Sequence, residues 1–351
     1  MVCIKSETAV AFVAFMGELS HPQPLQPAVC ETLAAMATEA SLRLPLPAGV
    51  TVFERGWLSS NNVLLDDGVN AVLVDTGYCT HAEQTLALVA HALAEGDRQR
   101  PLTQVLNTHL HSDHCGGNAA LQARYPLLTT AIPPGGSQAV ADWDEDALGH
   151  DRFGQSIVRF GFDRLLQPGS TEMLAGRPWQ VHAAPGHDPH AVLLFQPDTR
   201  TLISGDALWE NGFGVVFPEL DGHSGFGEVG ATLDLIESLA PAVVIPGHGR
   251  AFGDVSAALD RARTRLSSFE QAPQRHLRHA AKVLVKYKLL EMVTTTLPNL
   301  HAWARATPAL GDLHRISTGA QADFDAWVDD LLADLVRAGA ATLSDGLVTN
   351  H

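Results

Sequence analysis

Three histidines and an aspartate crowd into six residues, His109, His111, Asp113 and His114, directly after the apolar run Val105-Leu106. Imidazole nitrogens and carboxylate oxygens are the donor atoms that Zn²⁺ takes, and they also suit Fe²⁺ or Mn²⁺. Residues two apart on extended backbone point the same way, so His109 and His111 reach together from a strand end. Asp113 and His114 must come from the turn that follows, aimed at a different point. One ion does not need the fourth group, so the stretch suggests two neighbouring ions. More groups of this kind stand at Pro185-Gly186-His187-Asp188, Ser204-Gly205-Asp206-Ala207 and Pro246-Gly247-His248-Gly249. With Asp206 shared, the seven candidates divide into three histidines for one ion, and a carboxylate with two histidines for the other. Two ions ~3.5–4 Å apart can hold a hydroxide between them, because metal binding lowers the pKa of water from about 15.7 toward ~7.

The elements that must position these groups are strands, because every motif follows an apolar, β-rich run. Val50-Phe53, Asn62-Leu65 and Asn70-Val74 are short strands, the last two joined by the turn Asp66-Asp67-Gly68. The third ends at Asp75-Thr76-Gly77. A helix is predicted from His81 to Ala94, closed by Gly96, and a strand from Pro101 to Thr108 delivers the histidines. Residues 131–165, with Gly135-Gly136 and the acidic run 142–146, are expected to form a mobile insertion. The second half repeats the pattern of the first, with strands at 179–183, 191–195, 201–204 and 242–245 and a helix over 229–239. Two sheets packed face to face with helices outside follow from this order, a four-layer αββα sandwich in the α/β class. Beyond Asp254 strands fade and helices are expected at 254–271, 275–293 and 321–338, with a small hairpin at 341–348.

The motifs together resemble the metallo-β-lactamase-fold hydrolases. Thr108-His109-Leu110-His111-Ser112-Asp113-His114 and the three later motifs stand in the order and spacing of that family, over roughly residues 50–250. The resemblance implies that His109, His111 and His187 bind a first metal, that Asp113, His114 and His248 bind a second, and that Asp206 bridges them. It implies two Zn²⁺ per chain, with Fe or Mn as alternatives. A hydroxide between them would attack an ester-like bond (thioester, lactone or similar), with Asp113 and Asp206 as catalytic carboxylates. Asp75, in Val74-Asp75-Thr76-Gly77, matches a position that orients the ligand loops from behind; an Asp before Thr-Gly also caps ordinary turns. Many β-lactamases of this fold carry Cys where this chain has Asp206, so antibiotic hydrolysis is not the expected task. The match is nearer the glyoxalase-II-like and lactonase-like branches, although residues 254–351 lack the glutathione-binding arrangement of glyoxalase II. That region resembles the winged-helix-like module attached to some of these hydrolases. An RNA-cleaving nuclease and a mono-iron sulfur dioxygenase of the same fold are the alternatives.

Composition sets further bounds. At 351 residues the chain has room for a catalytic domain over 49–253, an N-terminal extension over 1–48 and a C-terminal helical module over 254–351. The four cysteines have neither CxxC spacing nor a disulfide framework, which suits a reducing compartment. Residues 9–16 resemble a signal-peptide core, but Lys5 is the only basic residue before them, Glu7 lies beside them and no small-x-small cleavage site follows, so the expected location is cytoplasmic. No apolar run approaches the ~20 residues that span a bilayer, and no membrane partner is expected. The net charge of −16 is carried by residues 1–250, while 251–351 balance. An acidic body argues against nucleic acid and for a small-molecule substrate; homo-oligomerisation stays open. Eight Lys and Arg fall between 261 and 288 with Glu270 the only acid. They form either a solvated face paired with the acidic body or a seat for an anionic part of the substrate. Cys115 is expected to pack, His190 to satisfy a loop or touch substrate, and Glu210, Asn211 and Phe213 to floor a pocket or serve the core.

Overall fold

The computed structural model describes residues 44–95, 98–319 and 322–351. Residues 1–43 of the expected N-terminal extension lie outside them. Two sheets form the centre. One has six strands in the order Val50–Phe53, Asn62–Asp66, Ala71–Val74, Leu102–Leu106, Thr129–Ile132 and Arg164–Leu165. The other has five, in the order Val243–Pro246, Thr201–Gly205, Val192–Gln196, Arg177–Ala183 and Thr171–Leu174.

Alternation along these strands builds the layers. Val63, Leu65, Val72, Val74 and Leu106 of the first sheet meet Val181, Val192, Leu194, Ile203 and Ile245 of the second in one buried cluster. Their neighbours point the other way. Leu64, Leu73 and Val105 pack beneath Leu88, Val89 and Leu93 of the helix Ala82–Ala92 and its flank. Leu193, Leu202 and Val244 pack beneath Val229, Leu233 and Ile236 of Phe226–Leu239 and Leu259 and Ala262 of Val255–Gln271. Helix, sheet, sheet and helix are therefore stacked in that order, as the apolar periods required.

Strand direction explains why the polar motifs meet. Ala71–Val74 and Leu102–Leu106 are parallel neighbours, so Asp75 and the histidine cluster leave the sheet at the same edge. Thr201–Gly205 and Val243–Pro246 are parallel too, delivering Asp206 and His248 side by side. The connection from Arg177–Ala183 to its antiparallel partner Val192–Gln196 carries His187. Backbone bonds stitch the two sheets at this edge, Val192 N to Thr108 O at 2.8 Å and Asn61 N to Gly247 O at 2.6 Å, while Ser60 N to Asp113 O at 2.9 Å ties two connections of the first sheet together.

Two regions differ from expectation. Residues 131–165 hold the end of a strand, the short helices Ser137–Asp142 and Glu145–Leu148 and a 3₁₀ turn at Asp151–Phe153, packed around Cys115, Ile132, Val140 and Phe160. The C-terminal region has, besides Pro273–Met292 and Phe324–Arg337, two further helices at Leu297–Ala306 and Pro308–Thr318. Each starts with Pro inside its first turn behind a Thr, where the missing N–H costs nothing. These helices share one apolar core, and a three-stranded sheet closes the region. Its order is Thr294–Thr296, Leu347–Asn350, Ala341–Ser344, so the expected hairpin acquires a third strand. Among the described residues no helix is long and apolar enough to cross a membrane.

Candidate metal centre

His109 to His114 leave the strand Leu102–Leu106 in two steps. Asn107 and Thr108 extend it; after His111, still extended at φ −66°, ψ 148°, the chain turns into the one-turn helix Ser112–Cys115. Asp113 and His114 therefore sit on a helical turn rather than an open one. Asp75 holds this loop from behind at a φ of 59°, a costly conformation for a non-glycine residue. Its carboxylate explains why it persists: Oδ1 accepts from Thr108 N at 2.8 Å, and Oδ2 lies 2.9 Å from Thr108 Oγ1 and 2.8 Å from His114 Nδ1.

The seven expected side chains do come together. His109, His111 and His187 form one group, His109, His114 and Asp206 a second, and Asp113, His114 and His248 a third, each with ligand atoms within 4.8 Å of one another. Asp206 lies between them, with Oδ1 3.4 Å from His114 Nε2 and Oδ2 3.5 Å from His187 Nε2 and 3.8 Å from His248 Nε2. Asp113 Oδ2 lies 3.0 Å from His248 Nε2, and His111 Nδ1 lies 2.8 Å from His187 Nε2. A side chain at Gly247 would collide with Asp206 Oδ1 and the His114 ring, so only glycine fits between Pro246 and His248.

The donor set fits divalent metal. Nε2 of His109 and of His114 are buried without a hydrogen-bond partner among the described residues, which a protein tolerates rarely. The opposite ring nitrogens are held: Nδ1 of His109 by Thr108 Oγ1 at 3.0 Å, of His114 by Asp75, and of His187 by Val215 O at 2.6 Å. One nitrogen fixed from behind and the other aimed inward is how ligating imidazoles are oriented. Protonation states agree. Burial pushes His111 and His187 down to about 4 and His109 well below its usual value, leaving neutral imidazoles. Burial raises Asp206, but the charges of His114 and His248 more than reverse this, and it stays ionised. Burial also lowers His114, yet Asp206, Asp75 and Asp113 lift it well above normal. Three carboxylates thus call for positive charge at that spot.

A cleft of about 570 Å³ opens on the cluster. Several of its residues are not legible in the sequence. Trp57 lies flat on His248, 5.2 Å between centroids and 7° between planes, and Trp209 donates from Nε1 to Asp206 Oδ1 at 3.1 Å. Phe217 meets the His111 ring edge-on at 4.6 Å. From the C-terminal helix Pro273–Met292 comes Tyr287, whose hydroxyl lies 3.4 Å from Ser112 Oγ and 3.3 Å from Leu58 O. The same helix carries His276, whose Nε2 accepts from Val216 N at 3.1 Å. Trp209, three residues past Asp206 on the same loop, carries the one usable signal; the others reach the site only through tertiary packing. Glu210 and Asn211 line the cleft, whereas Phe213 is core. His190 is exposed at the surface, and Cys115 is buried, its thiol 3.3 Å from His111 O.

A family model described as the metallo-beta-lactamase superfamily matches residues 55–248, more than half of the chain. The chain belongs to that superfamily. Among curated members, a hydroxyacylglutathione hydrolase from Synechococcus sp. (strain JA-3-3Ab) is 36% identical over 138 residues, covering 39% of this chain and 45% of the relative. The thioesterase pkgB of Emericella nidulans is 26% identical over 204 residues, covering 58% and 49%. The chain spans about half the length of these curated relatives. A metallo-beta-lactamase family protein from Thermus thermophilus superposes with a TM-score of 0.52 at 18% identity, over 88% of this chain and 100% of the other. A beta-lactamase domain protein from Burkholderia ambifaria gives 0.51 at 22% identity, over 87% and 93%. Both establish the metallo-β-lactamase fold, over more of the chain than the family model covers.

Proposed function

We propose that this chain is a dinuclear metal-dependent hydrolase acting on an ester-like bond of a small molecule, with thioesters the leading class. The observation that carries the reading is Asp206, whose two oxygens lie between the imidazoles on either side of it. In this reading His109, His111 and His187 hold one Zn²⁺, Asp113, His114 and His248 the other, and Asp206 both; Fe or Mn suit the same donors. Bound ions would supply Lewis acidity and lower the pKa of water. The protein's own groups do the rest. Asp113 orients the nucleophile, Asp75 fixes the loop that carries His109, His111, Asp113 and His114, and Trp57, Trp209 and Phe217 keep the reacting bond away from bulk water.

The names of the curated relatives, a hydroxyacylglutathione hydrolase and a thioesterase, support a thioester. We read 49–253 as the catalytic domain and 254–351 as a winged-helix-like module that walls the cleft through Pro273–Met292. The charge of the C-terminal part of that module weighs against an RNA substrate. The helix before its hairpin, Phe324–Arg337, bears Asp325, Asp329, Asp330 and Asp334 against a single Arg337, and the hairpin 341–350 has no Lys or Arg. A surface built to hold phosphates would carry the opposite sign.

The test is a hydrolysis screen over thioesters, lactones, phosphodiesters and β-lactams, with metal content measured on the same sample. Thioester turnover with two ions per chain, both lost in Asp206→Ala, is expected. Undiminished turnover by metal-depleted Asp206→Ala would overturn the mechanism. One iron with no hydrolysis would point instead to the mono-iron oxygenase alternative.

A further inference from the structure

One wall of the cleft carries chemistry that bond cleavage does not use. Arg250, Arg265, His279 and Lys282 line it. Most cations of the 261–288 run are spent elsewhere. Arg263 pairs with Asp234 at 2.8 Å and Glu237 at 2.7 Å, Arg278 with Asp330 and Asp334 at 2.8 Å, and Lys288 with Glu291 at 2.7 Å. Lys286 also lines the cleft, but its ammonium is taken up by Ala340 O, Asn350 Oδ1 and His351 O at 2.6–2.7 Å. Lys282 is 3.4 Å from Asp334.

Arg265 is different. It is partly buried and has no ion pair among the described residues; its Nη1 donates to Phe213 O at a long 3.3 Å. Its guanidinium lies against Gly212, where any Cβ would collide with it, so the loop holds the group in place. Arg250, two residues past His248, is exposed and likewise unpaired among the described residues. His279 reports the local field: burial and then the charges of Arg265, His276 and Lys282 push it down to about 4, and no carboxylate opposes them. A half-buried, unpaired cation is costly unless something negative arrives.

We propose that Arg265, with Arg250 and Lys282 adding charge, seats an anionic group of the substrate remote from the bond that breaks. This rests on the hydrolase reading above. A carboxylate and a phosphate share the required chemistry, two oxygens matched to the planar fork of Arg. The helix Pro273–Met292 acts as a ruler. Tyr287 lies beside Ser112, between the candidate ligands His111 and Asp113, while Lys282 and His279 come five and eight residues earlier on the cleft wall. At 1.5 Å per residue this places Lys282 and His279 about 8–12 Å along the helix from Tyr287, on the side of the cleft that Arg265 also lines.

The experiment uses metal-loaded protein and acetyl thioesters of alkanethiols ending in a carboxylate, a phosphate or a neutral amide, over a series of spacer lengths. An anionic end is expected to raise kcat/KM about tenfold to a hundredfold over the amide. The gain should peak at one intermediate spacer length and shrink with salt. Arg265→Met should bring the anion-to-amide ratio near one. Arg263→Met, whose partner acids lie outside the cleft, should keep it. An advantage confined to one of the two anions assigns the source. Equal rates for all three ends, or an undiminished preference in Arg265→Met, overturn the proposal. Non-hydrolysable thioethers of the same series provide a readout free of turnover, through the fluorescence of Trp57 and Trp209. Anionic thioethers should bind wild type at least tenfold more tightly than Arg265→Met. If they do so while no thioester is cleaved, the seat stands and the hydrolase reading fails; equal binding removes the seat whatever the activity.

Discussion

The sandwich and the C-terminal helices contribute to one cleft by opposite means. The sandwich places its chemistry at strand ends, where direction and register are set by hydrogen-bond ladders, so ligand-type residues fall into short contiguous motifs. The helices contribute Tyr287 and Lys282 to the cleft, with His276 behind its wall, as single side chains among ordinary amphipathic turns, each meaningful only by what it touches. A site coded by motif can be read from a chain; one coded by contact cannot.

The sharpest way to break that contrast is at the carboxylate between the two sets. Asp206→Ala should lower activity by more than the ~100-fold typical of supporting residues and remove metal, measured by elemental analysis beside kcat/KM. Retained metal would mean the sandwich alone does not define the centre. Asp75→Ala comes next. It frees Thr108 and His114 together, and metal affinity should fall about 10–100-fold, read by competition with a chelator; Asp75→Asn should recover part of this.

The helices should announce themselves in stability instead. His276 and His279 are held at about 4, by burial first in both cases. A histidine whose folded pKa lies below its unfolded value of about 6.5 favours the native state fully above that pH and loses the contribution as pH falls toward 4. The loss is on the order of 3 kcal/mol per histidine. Urea melts between pH 7.5 and 4.5 should steepen in that window, and His276→Gln, which keeps an acceptor for Val216 N, should flatten the curve. The smallest effect is expected from Tyr287→Phe. Removing the hydroxyl costs about 1 kcal/mol, or roughly fivefold in kcat/KM, and a loss as large as that of Asp206→Ala would place the helix within the chemistry.

Legibility follows the same line. Eight of the eleven strands of the two sheets, all but Thr129–Ile132, Arg164–Leu165 and Thr171–Leu174, are readable because alternation and buried apolar runs dictate them, and the seven ligand-type residues because they follow those runs directly. The helices Leu297–Ala306 and Pro308–Thr318 escape because their prolines, which read as breakers, sit at the first turn. The strands Thr294–Thr296 and Thr171–Leu174 are short edges with little apolar content, which pairing rather than pattern defines. Residues 131–165 read as loop because their small core is assembled from partners as distant as Cys115. Trp57 gives no sign at all: its role is fixed by the ring of His248, far along the chain.

The peptide group joining Val215 to Val216 sits between the two regions. Its carbonyl accepts from His187 Nδ1 and its N–H donates to His276 Nε2. These atoms belong to one plane that resists twisting, with acceptor and donor pointing in opposite directions. A displacement of the helix Pro273–Met292 therefore reaches the imidazole as rotation of a stiff plate, with no soft torsion in between to absorb it. The fold has a mechanical lever with one end in the helices and the other on a candidate metal ligand.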